Sequence, residues 1–189
     1  MNTKSLLSLA AGLTLITGCG TNAHYIQTGG TQSVVSVDQI NIQDFISAAN
    51  AATSDLLASG ALDRVSNPPA VLAMSRIVNN TSQQIDTDLL TKKIRVALLQ
   101  SGKAVTTTTF GLGGPEDPLA RNIQQQEGKP TRLPDFTLSG KIIETFAKAG
   151  NTKQSTYSFQ LSLTDQRGLA VWEGDKDITK QGTRSGVGF

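Results

Sequence analysis

Two runs in the C-terminal third alternate apolar and polar residues with a period of two, and nothing else in the chain constrains its fold as strongly. Tyr157, Phe159, Leu161 and Leu163 interleave with Ser158, Gln160, Ser162 and Thr164. Less cleanly, Phe136, Leu138, Gly140, Ile142, Glu144 and Phe146 interleave with Thr137, Ser139, Lys141, Ile143 and Thr145. Successive side chains of a strand point to opposite faces, so each run predicts a strand with one buried face and one polar face. Asp165-Gln166-Arg167-Gly168 reads as a turn, and Leu169 to Ile178 returns through Val171-Trp172-Glu173 as a third strand. Short connections make this an antiparallel meander whose apolar side must be covered by something else.

The rest of the chain supplies the cover. Ile42, Phe45, Ile46, Ala49, Ala52, Leu56 and Leu57 recur at helical spacing, with Asn41 as N-cap and Gly60 as the stop. Pro68-Pro69 then breaks any helix and leads into Ala70 to Val78, a buried strand, with a turn at Asn79–Ser82. Thr87 to Ser101 predicts a second amphipathic helix, capped by Asp86 or Thr87, with Leu90, Ile94, Ala97 and Leu98 inward and Gly102 after it. Ala104 to Thr109 is β-branched and reads as a strand. After it come a glycine-rich loop (Phe110 to Pro115), a short polar helix (Pro118 to Gln126) and, beyond the meander, a loose tail from Thr183 to Phe189. Helices on one mixed or antiparallel sheet, in a single α+β domain, is the simplest arrangement of these elements.

The N-terminus is of another kind. Lys4 precedes an apolar stretch, Leu6 to Ile16, too short to span a bilayer as a helix. The sequence Ile16-Thr17-Gly18-Cys19 resembles the lipobox of bacterial lipoproteins. That resemblance implies cleavage between Gly18 and Cys19, with N-acyl and S-diacylglycerol groups, palmitate among them, on Cys19. One acyl chain, at ~0.8 kcal/mol per buried CH₂, binds only reversibly. The three chains of this class make attachment lasting. Gly20 stands where an aspartate tends to retain such proteins at the inner membrane, so the resemblance points to the outer membrane, facing the periplasm. The expected division is a signal peptide over 1–18, a lipidated cysteine and tether over 19–37, and a globular domain over 38–189. The tether stretch 20–37 is rich in Gly, Thr, Ser, Gln and Asn. It spans about 60 Å fully extended and ~25 Å as a random coil.

Chemistry is scarce. The chain has 17 basic and 15 acidic residues, and losing Lys4 with the signal leaves 16 against 15, too balanced to argue for nucleic acid or anionic lipid. Cys19 is the only cysteine, so no intrachain disulfide can form. His24, the only histidine, lies in the tether, so neither a nucleophile–histidine pair nor a Cys/His zinc site is expected. The glycine-rich loop lacks the Gly-Lys-Ser/Thr ending of a phosphate cradle. Three carboxylate pairs remain: Asp86 with Asp88, Glu116 with Asp117, and Asp175 with Asp177. The first flanks a helix start, where the dipole favours acids. The second sits in a Gly-Pro loop, and the third straddles Lys176 at a solvated strand. No enzyme, metal or cofactor is expected, and a binding role follows by elimination.

An ordered series of stretches is similar to the LpoB family. It runs from Val71-Leu72 through Arg76-Ile77-Val78-Asn79-Asn80-Thr81, Ile85-Asp86-Thr87 and Leu90-Thr91-Lys92-Lys93-Ile94-Arg95. It continues in Ser139-Gly140-Lys141-Ile142, Tyr157 to Asp165, and Val171-Trp172-Glu173-Gly174. The resemblance, over roughly 38–180, implies a fold like the N-terminal domain of TolB. It also implies a role as an outer-membrane lipoprotein that binds a regulatory domain of a class A penicillin-binding protein and activates peptidoglycan synthesis. Well-known members carry a longer, proline-rich tether; residues 20–37 here are short and contain no proline. An alternative is a CsgG-like assembly or secretion lipoprotein, which needs extra alternating runs of about ten residues to cross a membrane. An envelope enzyme acting on glycan through Asp175 and Asp177 ranks last.

Overall fold

The computed structural model describes residues 23–107 and 132–184. Helix α1 (Ile42–Ala58) and a short 3-10 helix (Ala61–Arg64) lead into strand β1 (Ala70–Asn80), helix α2 (Asp88–Gln100) and strand β2 (Ala104–Thr106). Three long strands follow: β3 (Phe136–Ala149), β4 (Thr152–Asp165) and β5 (Ala170–Thr183). All five strands form one sheet in the order β2-β1-β3-β4-β5. β1 is parallel to β2 and β3, whereas β3, β4 and β5 are antiparallel. This is a single α+β domain on a mixed sheet, as the element order implies.

The meander follows the alternation. Leu138 faces Leu163, Gly140 faces Leu161, and Ile142 faces Phe159. These inward residues join Trp172 of β5 and Leu72, Met74 and Ile77 of β1 in one core with Phe45, Leu56, Leu90, Ile94 and Leu98 of the helices. Fully burying a residue such as Leu98 or Leu163 contributes roughly 1.5–3 kcal/mol. The Phe45 and Phe159 rings meet edge to face at 6.1 Å and 76°, which locks α1 over β4. On the opposite side of the sheet, β4 presents only Ser, Thr and Gln from Gln154 to Thr164, and no helix among the described residues covers them.

Local signals account for the helix boundaries. Asn41 Oδ1 accepts from Asp44 N at 3.2 Å, and Asp44 Oδ2 accepts from Asn41 N at 2.8 Å, a reciprocal capping box. Gly60, at φ +69°, takes the left-handed turn that ends the helical segment. At α2 the cap comes from Asp86, whose Oδ1 accepts from Asp88 N at 2.9 Å; the Thr87 side chain makes no capping bond. The Trp172 indole packs against Gly174, where a Cβ would collide with the ring. From there its Nε1 donates to Asp55 Oδ2 on α1 at 2.8 Å.

Several elements differ from expectation. β4 begins at Thr152, five residues before Tyr157, because Gln154 and Ser155 are both polar and hide the alternation. β1 runs through Asn80 and has an irregularity between Met74 and Ile77, where Ser75 and Arg76 are both exposed. β2 has three described residues, and Thr183 belongs to β5. Gly18, Cys19, the 110–115 loop, Glu116, Asp117, the 118–126 helix and residues 185–189 lie outside the described residues.

Candidate functional site

The densest polar constellation sits where the tether meets the domain. On β5 the inward positions are Trp172, Gly174, Lys176, Ile178 and Lys180, and of the two lysines Lys180 is the buried one. Its partner is Asp44, the acidic member of the α1 capping box: Lys180 Nζ donates to Asp44 Oδ2, with side-chain exposures of 6% and 7%. Lys180 also donates to the Gln39 carbonyl at 2.6 Å and lies 5.6 Å from the Tyr157 ring centroid. Each charge is therefore both paired and hydrogen-bonded, the condition under which a buried ion pair is tolerated.

The network extends outward from there. Ile40 N donates to Gln83 Oε1 at 2.8 Å, and Gln83 Nε2 donates to Tyr157 Oη at 2.8 Å. Ser82 donates to Glu144 Oε2 through its backbone N at 2.9 Å and its Oγ at 2.6 Å. Burial pushes the Glu144 carboxyl up, but the Ser82 hydroxyl and amide bonds outweigh it and hold the group below its ordinary value. Tyr157 is pushed up, first by burial and then by the nearby Glu144 charge. Val37 packs on Gly182, where a Cβ would come within 2.6 Å of Val37 Cγ2. Asp38 pairs with Lys153 at 3.7 Å. Residues 37–41 thus form a strap bound to the end of the sheet where β3 turns into β4.

Of the carboxylates singled out from the sequence, the described ones, Asp86, Asp88, Asp175 and Asp177, do not assemble into a reactive site. Asp86 caps α2. Asp175 and Asp177 are exposed on the open face of β5, and Asp177 accepts from Ser158 Oγ. His24 is exposed. Among the described residues no three His, Cys, Asp or Glu side chains group as metal ligands, and no helix is long and apolar enough to cross a membrane.

A family profile described as peptidoglycan-synthase activator LpoB matches residues 44–178, well over half of the chain. The chain belongs to the LpoB family. Among solved structures, the LpoB C-terminal domain from Salmonella enterica is similar at 21% identity, covering 71% of this chain and 98% of that one, with a TM-score of 0.45. The Escherichia coli LpoB C-terminal domain is similar at 17% identity with the same coverage and TM-score. The lipoprotein GNA1162 from Neisseria meningitidis is similar at 17% identity, covering 63% and 88%, with a TM-score of 0.39. A search of curated proteins finds no match.

LpoB membership makes this a synthase-activator family protein, a regulatory class. The Asp44–Lys180 pair and the strap were not singled out from the sequence, although two signals were present. Lys180 falls on the buried parity of β5, and Asn41-x-x-Asp44 is a capping-box spacing.

Proposed function

We propose that this LpoB-family chain is an outer-membrane lipoprotein that docks on the regulatory domain of a class A penicillin-binding protein and stimulates its glycan polymerisation and peptide cross-linking. The observation that carries the reading is the family match over residues 44–178. In this reading Cys19, exposed by cleavage after Gly18, holds the acyl chains; 19–37 is the lipidated tether, and 38–189 is the domain facing the periplasm. Activation requires that the domain bind the active conformation of the synthase more tightly than the inactive one. A coupling of ~1–3 kcal/mol corresponds to a several-fold to hundredfold shift.

The test is polymerisation of lipid-linked precursor by a purified class A synthase from the same cell, with and without the mature chain. A several-fold rise in initial rate is expected; an unchanged rate with every such synthase rejects the proposal. The anchor is tested separately. Labelled palmitate should enter the wild-type chain and not Cys19→Ser, and the wild type should fractionate with the outer membrane.

A further inference from the structure

We propose that the end of the sheet opposite the strap docks onto an acidic protein surface, and that it is the end this chain presents to the synthase; this rests on the function proposed above. Strands β1, β3 and β5 begin there and β4 ends there. An open cleft of about 510 Å³ is lined there by Arg64, Ser66, Phe136, Asp165, Arg167 and Val171 among others, with Arg132 nearby.

Three guanidinium groups and two carboxylates meet at this end, but they are not equally available. Asp165 Oδ1 accepts from the backbone N of Arg167 at 2.9 Å and of Leu169 at 3.0 Å, and its Oδ2 accepts from Arg167 Nε at 2.9 Å and Nη2 at 2.7 Å. Asp135 Oδ2 accepts from Val71 N and from Arg132 Nη2, each at 2.8 Å. Both carboxylates are committed to the protein's own turns. The guanidinium groups are less fully used: Arg132 and Arg167 are ion-paired with Asp135 and Asp165, but the Arg167 side chain stays 76% exposed, and exposed Arg64 donates no hydrogen bond among the described residues. Leu133 and Leu169 stand beside them, 65% and 53% exposed.

Arginine is enriched at protein interfaces, the two exposed leucines add apolar area to bury, and an arginine already held in a planar fork loses little freedom when it meets a carboxylate. Charge complementarity therefore selects an acidic partner surface. Position agrees. A fourteen-residue strand is about 46 Å long, so a taut tether points this end away from the anchoring membrane and adds that length to the roughly 60 Å of residues 20–37.

The test measures binding of the full mature chain to a purified class A synthase. Arg64→Glu with Arg167→Glu should weaken binding tenfold or more, and Arg64→Gln with Arg167→Gln by a smaller factor. Lys92→Glu with Lys148→Glu, the same charge change away from this end, should stay within twofold, and all variants should keep the wild-type unfolding midpoint. Wild-type binding that survives the arginine reversal, or that falls equally with the lysine reversal, overturns the inference while leaving the proposed function standing. A wild type that binds no such synthase sinks both. Vesicles of phosphatidylglycerol are the second probe: arginine-dependent binding to them, with synthase binding intact, reassigns this end to a membrane and overturns the proposal.

Discussion

The two ends of the sheet handle charge in opposite ways. At the strap end, Lys180 and Asp44 are almost completely buried and answer each other, while Gln83, Tyr157, Ser82 and Glu144 close the network around them. At the far end, Asp135 and Asp165 are held by backbone amides and by Arg132 and Arg167, yet the Arg167 side chain and Arg64 remain largely in water. A charge whose partner lies inside the fold serves position and stability. A charge whose partner lies outside serves recognition. Residue type alone does not separate the two roles; the direction in which the hydrogen bonds run does.

That contrast predicts a gradient of mutational effects. Lys180→Met leaves a buried, unpaired Asp44 and should cost about 3–5 kcal/mol in urea unfolding, the largest effect expected of any charged residue here. Combining it with Asp44→Asn should restore at least half of the loss. A single-variant cost below about 1 kcal/mol would mean that the pair does not hold this end together. Gly182→Leu drives a side chain into Val37 and should destabilise by roughly 1–3 kcal/mol. Limited proteolysis should then cut near Val37 and Asp38 well before the core, whereas an unchanged digest would show that the strap tolerates the intrusion.

Smaller effects follow. Tyr157→Phe leaves Gln83 without its hydroxyl partner and should cost about 1–2 kcal/mol, again by denaturant unfolding. The Glu144 carboxyl is held below its ordinary value, so its contribution is complete above about pH 4.5 and lost as pH falls through the lowered value. Glu144→Gln should therefore flatten the acid side of the stability–pH curve; an unchanged slope below pH 4.5 would remove the residue from the network. At the far end Arg167→Ala should shift stability by no more than about 0.5 kcal/mol, since the side chain is mostly solvated. A thermal melt that moved as much as that of Tyr157→Phe would erase the distinction between the ends.

Much of the fold was legible because its signals are local. The parity of Tyr157 to Leu163 placed β4 against the core, and the capping residue and glycine stop bounded α1 within a residue. The parallel pairing of β1 with both β2 and β3 was less accessible, since it depends on contacts between strands far apart in the chain. β4 was shortened for a physical reason: Gln154 and Ser155 break the hydrophobic pattern although both lie in the sheet. The strap was hidden too. Gln39 and Ile40 bind through backbone atoms, which carry no residue-type signal, and the Lys180–Asp44 pair spans 136 positions. Carboxylate spacing drew notice to Asp86 and to Asp175 and Asp177, which prove to be a helix cap and an exposed strand face. The arginines at the far end are scattered over Arg64, Arg132 and Arg167, and only the sheet gathers them.

Trp172 is the single tryptophan of the chain, and its indole is clasped between the Gly174 backbone and Asp55 of α1. The protein therefore carries its own optical reporter at the seam between helix and sheet. Any event that lifts α1 from β5 exchanges a buried, hydrogen-bonded indole for a wet one and shifts its emission to the red. Partner docking, tension on the strap and unfolding could each be followed by that one signal without a label.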